Sequence, residues 1–148
     1  MAIYLNNNVG IKLATAGALT TPSIDISDHV SSAVLTQTFD ELEVTSQGNN
    51  SHVFVKGLEA AQLSLEFFND WAASQVNTTL QAVYGQTISV SMITVKGTAV
   101  SATNPTYQFS ILVNNLTPVG TGSVADTASS NITFTVNSTV TVSTSVAF

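Results

Sequence analysis

The chain contains no arginine and no cysteine, and it is poor in charge of either sign. Its three lysines and nine acids make up 8% of the residues and leave a net charge of −6. A typical soluble domain carries about a quarter charged residues. Beyond Lys96 the only charged side chain is Asp126. Each absence excludes something. Lys and Arg supply the counterion release that holds proteins to phosphate backbones, so sequence-specific DNA recognition has almost nothing to work with. Without cysteine there are no disulfides and no thiolate metal sites. No apolar run approaches the roughly 18 residues of a helical membrane span, because Ser, Thr and Asn interrupt such runs throughout. The start, Met1-Ala2-Ile3-Tyr4-Leu5 and then Asn6-Asn7-Asn8, lacks a basic region and a continuous apolar stretch, so no signal peptide is expected. What remains is a surface of neutral hydroxyls and amides. Such a surface gains little from charge repulsion and packs well against copies of itself. It points to a building block more than to a catalyst.

The 148 residues read as one domain spanning 1–148, with 44% hydrophobic residues available for a core. The dominant pattern has period two. Leu63, Leu65 and Phe67 alternate with Ser64 and Glu66, and Ile88, Val90 and Met92 with Ser89 and Ser91. Tyr107, Phe109, Ile111 and Val113 form a third run, Ile132, Phe134 and Val136 a fourth, and Val140 and Val142 a fifth. Each reads as a half-buried strand with one face to the core. Further strands are expected at 9–13, 34–39 and 52–55. Breakers fall between the runs at Thr21-Pro22, Gln47-Gly48-Asn49-Asn50, Lys96-Gly97, Asn104-Pro105 and from Pro118 to Gly122. Short strands at this spacing predict an all-β sandwich or barrel. One segment departs from the period: Trp71, Ala72, Val76, Leu80, Val83 and Tyr84 fall three to four apart. With Asn69 or Asp70 as N-cap and Gly85 as the stop, they predict one flanking helix at about 70–84, with Trp71 in the core.

Candidate chemistry is sparse. Asp40, Glu41 and Glu43 form the densest charge cluster. Two carboxylates can share acid–base work, but no His or Lys adjoins them, and a solvated strand end is the better reading. Asp25, Asp28 and His29 offer oxygen and nitrogen ligands within one turn, which suits a hard cation. Their spacing matches no calcium loop, and Asp and Ser are ordinary turn formers. Gly120-Thr121-Gly122-Ser123 lacks the Lys-Ser/Thr step of a phosphate loop. The Asn-x-Ser/Thr matches at Asn49, Asn77, Asn115, Asn131 and Asn137 follow from a composition rich in those residues. No enzyme, cofactor or metal site is expected from these residues.

A longer ordered set of segments carries a resemblance. It begins with Asp25-Ile26-Ser27-Asp28-His29-Val30 and Leu35-Thr36-Gln37-Thr38-Phe39-Asp40-Glu41-Leu42. Gly57-Leu58-Glu59, Leu63-Ser64-Leu65-Glu66-Phe67-Phe68-Asn69-Asp70-Trp71-Ala72 and Val76-Asn77-Thr78-Thr79-Leu80 follow. Val100 to Tyr107, Leu116-Thr117-Pro118-Val119 and Thr133-Phe134 complete it. Together these segments, covering most of 22–136, resemble the small tail tube (major tail) proteins of long-tailed phages. The resemblance implies a β-sandwich or barrel with a flanking helix, assembled into hexameric rings. The rings stack into a tube through which the genome leaves the capsid. The partners it implies are further copies of the chain and the terminator, tape measure and distal tail proteins. The expected location is the virion tail, after assembly in the host cytoplasm. DNA would pass without specific binding, and no membrane is involved. The Asn-rich start, 1–21, and the Ser/Thr/Val-rich tail, 137–148, depart from the family pattern and are expected at ring-to-ring contacts.

Within this frame, the polar loop Thr45, Ser46, Gln47, Gly48, Asn49, Asn50, Ser51 and His52 is expected to reach a neighbouring subunit. Asp40, Glu41 and Glu43 are expected on the lumen side, where acids repel phosphate. The readings set against this one are a terminator, neck or capsid decoration protein, and, from another class, a carbohydrate-binding β-sandwich. The last would need aromatics clustered on one open face.

Overall fold

Alternating apolar positions dominate the chain, and in the computed structural model they become strands. The structure describes residues 8–120 and 123–148. The elements are β1 (Gly10–Thr15), β2 (Ala18–Asp25), β3 (Val30–Glu43), β4 (Phe54–Phe68), α1 (Val76–Ala82), β5 (Thr87–Ile93), β6 (Thr106–Leu112), β7 (Ser129–Val136) and β8 (Thr141–Ser143). A 3-10 turn, Ser27–His29, leads into β3. The strands form one open antiparallel sheet in the order β2-β1-β5-β6-β7-β4-β3, with β8 beside β6. The fold is therefore mostly β, with a single short helix among the described residues.

The sheet does not stay flat. The ladder joining β6 to β7 is only two residue pairs long, Ile111↔Val136 and Leu112↔Thr135. Farther along the same edge, Thr106, Tyr107 and Gln108 pair with β8 instead. Divided this way, β6 lets the two halves of the sheet turn toward each other. Their inward positions merge into one core: Leu13 and Ile11 of β1, Ile88 and Val90 of β5, Leu63, Leu65 and Phe67 of β4, and Phe134 of β7. All eight are at most 1% exposed. Each contributes about 1.5–3 kcal/mol by leaving water. β3 and β1 are not ladder neighbours, yet Val9, Ile11, Val30, Ala33 and Leu35 line one cavity of about 680 Å³. The curl thus brings an edge strand over the opposite half.

The helix is shorter than the sequence spacing predicts. It spans 76–82 instead of 70–84. Side chains account for the lost turns. Asp70 Oδ1 accepts the Ala72 N–H at 2.8 Å, and Asn77 Oδ1 accepts the Asp70 N–H at 2.8 Å. Thr78 Oγ1 lies 2.9 Å from the carbonyls of both Trp71 and Ala72. These bonds hold 70–75 in a non-helical turn, and Ser74 sits at a left-handed φ of 63°. Trp71 consequently leaves the core and is 52% exposed. The helix ends at Ala82, short of the expected 84, and Gly85, the expected stop, follows with φ 81° and donates its N–H to the Val113 carbonyl at 2.8 Å. Strand β2 is the element that the spacing misses. Pro22 reads as a breaker, but β2 is an edge strand, where a missing N–H costs no ladder bond.

A two-faced hairpin arm as candidate functional site

The feature that stands apart is the β3–β4 hairpin. β4 pairs with β7 from Gln62 to Phe68 only. From Ala61 back to Phe54 its one ladder neighbour is β3. The hairpin therefore leaves the sheet as a two-stranded ribbon. Eight residues at about 3.4 Å each carry it roughly 27 Å beyond the body. Two-stranded ribbons are marginal in water on their own, so local contacts have to hold this one. Gln37 Nε2 donates to Glu59 Oε1 at 2.9 Å, and the Lys56 ammonium stands 3.6 Å above the Phe39 ring. Between them the register slips at Phe39/Glu41, a bulge. Gly57 fits there because a Cβ would lie 2.8 Å from both the Asp40 Cβ and the Asp40 carbonyl oxygen.

Past the bulge, Glu41 pairs with Lys56, Leu42 with Val55 and Glu43 with Phe54, and the Val44 N–H donates to the Val53 carbonyl. Side chains alternate across a ribbon, so the arm has two unlike faces. One carries Leu42, Val44, Val53 and Val55, which are 38–53% exposed. The other carries Phe39, Glu41, Glu43, Phe54 and Lys56. Asp40 lies on the aliphatic side at the bulge. The three acids expected to act together are thus divided, Glu41 and Glu43 on one face and Asp40 on the other.

The loop Thr45–His52 forms the tip. The Asn49 N–H donates to the Ser46 carbonyl at 3.0 Å, closing the turn over Gln47 and Gly48. Glu43 organises the base of the tip. Its Oε1 accepts from His52 Nδ1 at 2.6 Å and from Thr45 Oγ1 at 2.7 Å. The His52 bond first, and then Thr45, hold the Glu43 carboxyl below its ordinary value. Thr45 Oγ1 also accepts the Val53 N–H at 2.9 Å. Asn50 and Ser51 are exposed in the remainder of the loop. The tip residues and the three acids therefore belong to one element. Sequence reasoning missed the aliphatic face. Its signal was Leu42-x-Val44 and Val53-x-Val55, two short alternations placed symmetrically about the Gly-Asn-Asn turn.

The second cluster singled out in the sequence has a different occupant. Lys96 Nζ lies 3.0 Å from Asp25 Oδ2 and 3.3 Å from Asp28 Oδ1. The ammonium supplies the positive charge a cation would bring. Burial raises the Asp25 carboxyl, but hydrogen bonds from Ser27 and Lys96 outweigh it and leave the group below its ordinary value. The hydrogen bond to Asp25 in turn pushes the Lys96 ammonium up. His29 turns away and meets Asp70 at 3.0 Å. Among the described residues, no three His, Cys, Asp or Glu side chains converge as a metal site.

At the other end of β4 lies a small cleft. Gln81, Tyr84, Leu116 and Pro118 line a space of about 240 Å³. Trp71 borders the same Gln81, Leu116 and Pro118. Trp71 and Tyr84 are 52% and 54% exposed. Of the remaining segments named in the sequence, residues 1–7 of the stretch 1–21, and Thr121 and Gly122 of the stretch 120–123, lie outside the described residues. The tail from 137 folds back on the body. β8 joins β6, and the Phe148 ring occupies the space a side chain at Gly10 would need. No family model matches this chain, and no curated protein matches it.

Proposed function

We propose that this chain is a structural virion protein, the subunit of hexameric rings that stack into the tail tube of a long-tailed phage. The observation that carries this reading is the arm. A ribbon reaching roughly 27 Å from its own core and exposing four aliphatic side chains on one face has no use in an isolated monomer. Exposed apolar patches on otherwise polar proteins mark interaction sites. The rest of the surface agrees. With 8% charge and no arginine, a lone subunit resists aggregation poorly, whereas a subunit buried in rings and stacks has no such need. The division of β6 between β7 and β8 supports the finer fold, a sandwich or partly closed barrel of the tube type. The free edges of β2 and β3 are suited to heterologous pairing, which closes into a ring when the rotation permits.

In this reading the chain is not an enzyme and needs no cofactor. Its partners are its own copies and the terminator, tape measure and distal tail proteins, in a tail assembled in the host cytoplasm. The tip loop contacts a neighbouring subunit. Glu41 and Glu43, on the face away from the aliphatic side chains, serve the lumen side, where acids without arginine let DNA pass without sticking; Asp40, on the other face, does not share that role. The test is negative-stain microscopy of the purified chain beside a variant in which Gln47–Asn50 is replaced by Asn-Gly. The wild type should give rings or tubes about a hundred ångströms across (an estimate from compact domains of this size). The variant should fold and remain unassembled. Monodisperse wild-type monomers at millimolar concentration would remove the tube reading.

The reading from another class, a carbohydrate-binding module, draws on one observation. Trp71 and Tyr84 are exposed beside two adjoining clefts that share Gln81, Leu116 and Pro118. Sugar recognition also needs several convergent polar groups, and of the four residues lining the Tyr84 cleft, two are Leu116 and Pro118. Glycan-array binding by the monomer would favour it.

A further inference from the structure

Among the exposed apolar side chains of the described residues, two groups lie at opposite ends of one strand. The aliphatic face of the arm, with Val53 and Val55, is at the start of β4. The cleft of Trp71, Tyr84, Leu116 and Pro118 follows its end. From Phe54 to Phe68 an extended strand covers about 45 Å. An arm that points away from the body along this axis cannot fold back onto its own cleft. We infer that the aliphatic face of the arm docks in the Trp71–Tyr84 cleft of a second copy of the chain. This rests on the self-assembly reading above and gives it a specific contact.

The areas match. At their fractional exposures, Leu42, Val44, Val53 and Val55 hold roughly 300 Å² of surface, and on the cleft side Trp71 and Tyr84 supply most of a similar area. Joining them removes roughly 600 Å² of mainly apolar surface, about half of what a small specific interface buries. The remainder would come from the strand edges and the polar tip. The shapes agree as well. A thin ribbon with branched aliphatic side chains fits a shallow cleft lined by Tyr84, Leu116 and Pro118, with Trp71 next to it across Leu116 and Pro118. The two surfaces are different, so a copy can give its arm to one neighbour and receive an arm from another, which makes the contact heterologous. Such contacts propagate, closing as a ring or continuing as a stack. A self-complementary patch would stop at a dimer.

The absence of cysteine provides a clean test. Val55→Cys and Gln81→Cys are made as separate variants, mixed and assembled, then treated with a short bismaleimide. The expected result is a covalent dimer in the mixture, at least tenfold above either variant alone. In parallel, Trp71→Ser/Tyr84→Ser should raise the critical concentration for assembly at least tenfold, measured by sedimentation. Both side chains are also half buried, so the melting temperature should fall, and assembly is compared well below it, where the circular dichroism spectrum matches the wild type. If the wild type assembles but no mixed cross-link forms and the double variant assembles normally, the cleft assignment is wrong and the tube reading stands. Normal assembly together with glycan binding lost in the double variant would give the cleft to a sugar. If the wild type does not assemble at any concentration, both readings fail.

Discussion

Leu42 and Val55 face each other across the arm, 53% and 45% exposed, and their joint replacement by threonine isolates what the aliphatic face does. Threonine is β-branched and suits a strand, so the ribbon keeps its local preference. Neither side chain touches the buried core, and surface substitutions of this kind shift stability by about 0.5 kcal/mol or less. The monomer should therefore melt as before. Assembly should not be spared. At their exposures the two side chains carry roughly 150 Å² of apolar surface, worth about 4 kcal/mol if all of it were buried in a contact. Threonine retains a methyl at each site, and docking covers only part of the area. Half of that figure, about 2 kcal/mol, corresponds to a thirtyfold weaker contact. A concentration series followed by light scattering gives the critical concentration, and a thermal melt by circular dichroism controls for folding. A critical concentration within threefold of wild type, at unchanged melting temperature, would refute the argument that this face is an interface. A fall of several degrees in the melting temperature would refute its other half, that these residues are idle in the monomer.

Two further outcomes follow from the same geometry. Gly57→Ala places a Cβ within 2.8 Å of the Asp40 carbonyl oxygen, so the bulge at the base of the arm must open; amide exchange across residues 40–58 should quicken at least tenfold while β4 from Gln62 to Phe68 keeps its protection. Lys96→Met removes the ammonium between Asp25 and Asp28, and since these groups are partly exposed, the cost at pH 7 should be about 1 kcal/mol or less in urea unfolding. The pH dependence has a definite sign. The Lys96 ammonium is held above 10.5, so its contribution is complete below that pH and is lost as pH rises through the folded value. Asp25 is held below 3.8, so its contribution is present above that pH and is lost as pH falls through the folded value. The variant should lack the alkaline loss and keep part of the acid one, because Ser27 still bonds Asp25; an alkaline limb identical to wild type would show that the pair does not contribute.

The sheet was legible in the sequence because period two survives wherever one face is buried. Leu63-x-Leu65-x-Phe67 and Ile132-x-Phe134 announce both the strands and the side that faces the core. The sequence was less clear where side chains compete with the backbone. Trp71 and Ala72 fit a helical stripe, yet Asp70, Asn77 and Thr78 capture the hydrogen bonds that a first helical turn would need. Edge position was invisible too. Pro22 argues against a central strand but not against β2, and nothing local says which strand ends a sheet. The tip and the acids were legible as one neighbourhood through their polarity. The aliphatic face was not, because Leu42, Val44, Val53 and Val55 look like core residues until the ladder shows that β7 stops at Gln62.

The scarcity of charge makes the location of what remains informative. Four of the nine acids and one of the three lysines fall within residues 40–59. Beyond the bulge, Glu41, Glu43 and Lys56, together with Phe54, occupy the face opposite Leu42, Val44, Val53 and Val55, as their pairing requires. A ribbon apolar on both faces would stack on any neighbouring ribbon, the hazard of every exposed strand pair. Charge on one face removes that option. Burying Glu41 or Glu43 against an apolar surface costs several kcal/mol, so in the proposed docking only the aliphatic face enters the cleft. The bonds that Glu43 makes to Thr45 and His52 tie both ends of the tip loop to the end of β3. If the chain assembles as proposed, the acids of the arm discriminate between an ordered contact and an aggregate.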